Sequence, residues 1–140
     1  MENNTSVVNS STLEYLQNQI VYFPLINHYF ATINDEDFQE TANLFANEGK
    51  MYPPFDSVLL GRDAILLYLQ KEAKGMKLLP DSVTIQESTI ESTHYQVTGK
   101  VQTPLFTVNV SWYFVISQSQ IISVKVKLLA ALQELLQFQK

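Results

Sequence analysis

Cysteine is absent from the 140-residue chain, which excludes disulfides, thiolate metal sites and a cysteine nucleophile. Four glycines are too few for a glycine-rich phosphate loop, and neither GxSxG nor HExxH occurs. The two histidines, His28 and His94, lie far apart with no carboxylate at metal-ligand spacing, so no metal site is expected. Charge is scarce as well: Asp, Glu, Lys and Arg make up 16% of the chain, against about 25% in ordinary soluble domains. What charge there is leans acidic, 14 Asp and Glu against 9 Lys and Arg for a net −5. A phosphate-backbone binder needs clustered positive charge, so no nucleic-acid partner is expected. No run approaches the roughly 18 apolar residues of a membrane span, and MENNTSVVNSS lacks the basic and apolar regions of a secretory signal. A soluble cytoplasmic protein is expected.

The chain is the length of one domain, 1–140, with a polar and flexible start over 1–11. Helical spacing dominates the first half. Thr12 can cap a helix carrying Leu13, Leu16 and Ile20; Pro24 opens a second over Leu25 to Ile33. Asp35-Glu36-Asp37 caps a third that runs through Phe45 to Asn47 and Gly49. Met51 to Phe55 reads as a short extended piece. A fourth helix begins near Arg62-Asp63, buries Ile65, Leu66 and Leu69, and stops near Gly75. From Val83 the period becomes two: Tyr95, Val97, Gly99 and Val101; Val108, Val110, Trp112, Phe114 and Ile116; Ile122, Val124, Val126 and Leu128. Ser117-Gln118-Ser119 reads as a hairpin, and 128–140 as a C-terminal helical tail.

Helices followed by three or four long antiparallel strands predict an α+β fold in which a curved antiparallel sheet cups the N-terminal helices. The concave face of such a sheet is a natural small-molecule pocket. Its inward strand positions carry no Asp, Glu, His, Lys or Arg, whereas an acid–base enzyme needs a titratable group facing its substrate. No catalytic residue is therefore expected. His94 falls in the polar register as a solvated side chain, and His28 suits a helix face or an interface. The pocket does hold two sparse donors. Trp112 sits mid-strand on the apolar face, and Tyr29 shares a helix face with Leu25 and Ile33. Buried Trp and Tyr need partners for their polar tips. Two readings stay open: backbone or water satisfies each tip, or both point at one acceptor oxygen on an apolar ligand, such as a ketone.

Gly99-Lys100-Val101-Gln102-Thr103-Pro104-Leu105-Phe106 resembles the GKVQTPWF motif of the C-terminal domain family of orange carotenoid proteins. The resemblance extends over Asp37-Phe38, Leu44-Phe45-Ala46, Pro53-Pro54-Phe55, Leu78 to Pro80, Leu128-Leu129-Ala130 and Glu134-Leu135-Leu136. It implies a nuclear transport factor 2-like fold and non-covalent binding of a ketocarotenoid of the echinenone or canthaxanthin type. It matches Tyr29 and Trp112 to the pair that hydrogen-bonds the keto oxygen, with Ile33, Leu78, Val101, Thr103, Pro104, Leu105, Phe106 and Val126 as the carotenoid lining. Phe45 and Phe114 are the positions that core packing could claim instead. The sequence departs from the family at Leu105, where the family has tryptophan, at Lys127, where it has an acid, and in a shorter segment from Pro104 to Trp112. Glu72 matches an acidic residue that, in the two-domain proteins, pairs with the N-terminal carotenoid domain.

The reading is a stand-alone homologue acting as carotenoid carrier, store or photoprotection component, with a separate helical carotenoid-binding protein and transient membrane contact for pigment uptake as further partners. A 140-residue globule has a radius of gyration of about 14 Å, too small to enclose an extended carotenoid, and the exposed remainder is what a second copy would cover. A homodimer is therefore expected. The alternatives on the same fold are a SnoaL-like or ketosteroid-isomerase-like enzyme, with His28 or a helix-borne carboxylate as base, and a protein-interaction domain with an empty cup.

Overall fold

The computed structural model describes residues 23–129. Pro24 stands in the first turn of helix α1, Pro24–Asn34, where its missing N–H costs nothing. Ile26, Tyr29, Phe30 and Ile33 recur every three or four residues and form one buried stripe. Glu36, at φ 60°, turns the chain. The Asp37 carboxylate then accepts a hydrogen bond from the Glu40 N–H (3.4 Å) and caps α2, Phe38–Asn43. Strand β1, Phe45–Tyr52, strand β2, Leu59–Leu60, and helix α3, Arg62–Glu72, follow. Four long strands complete the fold: β3, Lys77–Ser88; β4, Thr93–Gln102; β5, Thr107–Ser117; and β6, Gln120–Leu128.

The six strands form one open curved sheet in the order β2-β1-β6-β5-β4-β3, an α+β architecture with the helices in its curve. β3 through β6 are an antiparallel meander, as read from the sequence. The sheet as a whole is mixed, because β1 joins β6 in parallel. That long-range pairing also explains the largest difference from the sequence reading. The third helix stops at Asn43 rather than running through Phe45 with Asn47 and Gly49 ending it, and the extended piece starts at Phe45 rather than Met51. Phe45 and Met51 are buried there, and β6 supplies the backbone partners that a helix would have supplied locally.

Two further differences concern register. β3 begins at Lys77, not Val83; it accommodates Pro80 because it is an edge strand, where a missing N–H breaks no ladder. In β6, the pairing steps from Val115↔Ser123 to Ile116↔Ile121, so Ile122 is an extra bulge residue. The bulge turns Ile122 outward, 37% exposed, and places Ile121 in the core at 0% in its stead. The hairpin at Gln118-Ser119 forms as read, with both residues at positive φ (51° and 63°), the hand that two-residue hairpins favour. The helix read from Thr12, the polar start and the tail beyond Leu129 lie outside the described residues.

Side-chain hydrogen bonds tie α1 to the sheet and the helical segments to one another. The Leu78 N–H donates to Asn34 Oδ1 (2.7 Å) while Asn34 Nδ2 donates to the Leu78 carbonyl (2.9 Å), so one amide pairs with β3 as a strand would. The Gly75 N–H donates to Glu36 Oε2 (2.8 Å), fixing the exit of α3. Buried Thr32 and Thr41 share a hydroxyl hydrogen bond of 2.7 Å between α1 and α2. β3 and β4 approach closely at Gly99. A Cβ there would strike the Leu79 carbonyl oxygen and come within 2.7 Å of Pro80 Cα, where β3 bulges across β4. Gly99→Ala should therefore cost about 1–3 kcal/mol, seen as a lower thermal midpoint; an unchanged midpoint would mean that the two strands separate freely.

Candidate functional site

The concave face is only partly filled. Edge-to-face ring contacts seal one part: Tyr29 against Phe114 (centroids 5.1 Å, 88°) and Phe30 against Trp112 (4.8 Å, 83°). Phe30 also stands edge-on to Tyr29 (5.2 Å, 89°), so one ring braces both predicted donors. Phe45 and Phe114 are fully buried and belong to this packed core. Beyond it, between α1, α3 and strands β3 to β6, lies a cavity of ≈ 310 Å³. At roughly 30 Å³ per water-sized group, that is room for one substituted ring.

Tyr29 and Trp112, from opposite layers, both line this cavity. They are 2% and 1% exposed, which places them at its depth. Among the described residues neither the Tyr29 hydroxyl nor Trp112 Nε1 has a hydrogen-bond partner. Of the predicted lining, Ile33, Leu78, Val101, Thr103, Phe106 and Val126 are on the wall. Pro104 and Leu105 are not. They occupy the tip of a tight β4–β5 turn in which Thr103 Oγ1 accepts from the Leu105 and Phe106 N–H groups (3.2 and 3.0 Å) and donates to the Phe106 carbonyl (2.9 Å). The turn throws Leu105 outward, 87% exposed.

The sequence reading missed part of the wall: Met51, the Pro53–Asp56 loop, Tyr68, Ala73 and Met76. Ile65, Leu69 and Tyr68 share the inward side of α3 at three- and four-residue spacing, a stripe that could have nominated Tyr68. The inward strand positions are indeed without charge, but Asp56 and Glu72 reach the rim from a loop and from α3. His28 is exposed on α1 and away from the wall, and His94 starts β4 outside this cavity. Lys127 lies over the Tyr113 ring (5.8 Å), also off the wall. Among the described residues no group of His, Asp and Glu could hold a metal ion.

Burial, with a smaller push from neighbouring Tyr68, raises the Tyr29 hydroxyl far above the ordinary tyrosine range. Burial also raises Tyr68, and the Asp56 and Glu72 carboxylates raise it further. Both phenols thus remain neutral donors at physiological pH. The chemistry on offer is hydrogen-bond donation into an apolar hollow.

Residues 22–126 match the model of the nuclear transport factor 2 (NTF2) domain, and the chain belongs to that family. Within it, the chain is homologous to the C-terminal domain of orange carotenoid protein. It is 33% identical over 116 residues to the orange carotenoid-binding protein of Synechocystis, covering 79% of this chain and 37% of that protein. To the orange carotenoid-binding protein of Limnospira maxima it is 31% identical over 135 residues, covering 93% and 38%. The orange carotenoid protein of Anabaena (Nostoc) binding canthaxanthin superposes with a TM-score of 0.72 at 36% identity, covering 81% of this chain and 38% of that one. The chain therefore spans a little over a third of the length of these relatives.

The raised Tyr29 has a consequence for alkaline stability. The unfolded chain loses this proton near pH ~10, while the folded chain keeps it. The stability contributed is thus constant below pH ~10 and falls above it by about 1.4 kcal/mol per pH unit. Tyr29→Phe should remove that share of the decline, measured by denaturant unfolding between pH ~8 and ~11. Equal slopes for both proteins would show that Tyr29 ionises normally in the fold.

Proposed function

We propose that this domain is a binding module, not an enzyme, and that it holds one end ring of a ketocarotenoid with Tyr29 and Trp112 donating to the keto oxygen. The observation that carries the reading is the pair of deeply buried donors, without partners among the described residues, on one otherwise apolar cavity. A buried polar group left unpaired costs about 1–3 kcal/mol, and a ketone oxygen, with two lone pairs, relieves both donors at once. Similarity to a canthaxanthin-binding relative supports the same ligand class, echinenone or canthaxanthin. Catalysis by a carboxylate base is the weaker reading, because Asp56 and Glu72 stand in solvent at the rim, away from the depth where Tyr29 and Trp112 lie.

The cavity takes a ring but not a whole polyene. Around its opening, Phe55 (85%), Phe106 (57%) and Leu128 (38%) are exposed, with Leu105 beside them in the β4–β5 turn. An apolar rim continuous with an apolar ligand supports a homodimer that shares one carotenoid between two cups. Light scattering of the pigmented protein should give two chains per carotenoid; one chain per carotenoid would exclude the shared arrangement. The proposed cellular role is as a cytoplasmic carrier, store or photoprotection component, exchanging pigment with membranes or a helical carotenoid-binding protein.

Tyr29→Phe and Trp112→Phe should each weaken ketocarotenoid binding roughly 5- to 150-fold and move the absorption band to shorter wavelength, with the fold retained. The double substitution should erase the preference for keto over non-keto carotenoids. A wild-type spectrum in the double variant would mean that the two tips bond elsewhere and that the ligand oxygen is not held by them.

A further inference from the structure

Among the described residues, the charged groups on the cavity wall are all of one sign. Asp56, from the loop after β1, and Glu72, from the last turn of α3, line the cavity, and no described lysine, arginine or histidine does. Both carboxylates are exposed, whereas Tyr29 and Trp112 are almost wholly enclosed, so the negative charge is confined to the opening. Tyr68 lies on the same wall, its hydroxyl raised first by burial and then by the Asp56 and Glu72 carboxylates. The acids therefore do not form an isolated surface cluster. They face the same cavity that buries the two donors, which have no partner among the described residues.

We propose that Asp56 and Glu72 make the opening a charge filter, so that an apolar ligand short enough to end at the opening is accepted when that end is uncharged and rejected when it is a carboxylate. This rests on the reading of the cavity as a keto-ring site and adds which ligands are refused. A ligand of retinoid length seated ring-first leaves its far end near the rim. A carboxylate there meets two like charges with no cation among the described wall residues to offset them, whereas an alcohol or aldehyde does not. Inserted the other way round, the carboxylate would lose its hydration inside an apolar hollow, which is costlier still. Neither orientation suits an acid. The filter turns away acidic retinoids, which an unguarded apolar cup of this size would also take.

The test uses two probes that share a keto ring and differ only at the chain end: the ring-keto derivatives of retinol and of retinoic acid. Binding to the full-length protein is followed by quenching of the single tryptophan, Trp112, at pH ~8, where the acid is ionised. Two like charges within about 8 Å predict that the alcohol binds roughly tenfold more tightly. The ratio should shrink in about 1 M salt, where the screening length falls to about 3 Å. It should also fall toward unity in the Asp56→Asn, Glu72→Gln double variant. Equal binding of acid and alcohol by the wild type, or a preference indifferent to both salt and the double variant, would overturn the filter while leaving the keto-ring site standing. Binding of neither probe would overturn the keto-ring reading and the filter with it.

Discussion

Helix α1 lies in the curve of the sheet with Tyr29 and Phe30 edge-on to Phe114 and Trp112, and the rest of the domain is arranged to keep it there. Each ring contact is worth about 0.5–1.5 kcal/mol beyond burial. Their combined geometry matters more than their sum. Rings that interlock at near-right angles leave few alternative positions for the helix, so the two donors they carry are held without a hydrogen bond between them. The Asn34 amide paired with the Leu78 backbone stops the helix from sliding along β3.

That placement leaves space on one side of α1. β3 and β4 approach at Gly99 too closely for a side chain there, and β6 carries a bulge at Ile122. The aromatic cluster fills the curve on one side; on the other, Val101, Val110 and Val126 meet only part of α3. Packed interiors rarely tolerate such a gap. Here the gap is lined largely with apolar side chains and holds the buried polar tips of Tyr29 and Trp112.

The groups on the cavity wall are consistent with the proposed binding role. The cavity's buried polar atoms are donors that stay neutral, its carboxylates stand at the rim, and no imidazole reaches it. On the proposed reading, binding and selectivity would arise from two separated zones: apolar burial with paired donation at depth, and like-charge repulsion at the opening. Tyr68 lines the same wall, its hydroxyl raised first by burial and then by Asp56 and Glu72.

How much of this was legible beforehand follows from the range of the interactions. The buried stripe of α1, the Asp37 cap, the antiparallel meander and the inward Trp112 are set by spacing and capping within a few residues, and the amino-acid order alone determined them. Tyr29 and Trp112 could be nominated because a polar tip on an apolar face is visible in a string. Other features were decided only in three dimensions. Phe45 to Gly49 became strand because a parallel partner lies more than seventy residues away in β6; Ile121 replaced Ile122 in the core because of a bulge. Leu105 left the wall because Thr103 closes a turn. Asp56 and Glu72 met at one opening because a loop and a helix end converge there. Local periodicity reports which face a residue takes, whereas pairing register and the convergence of distant segments depend on contacts that exist only once the chain has folded.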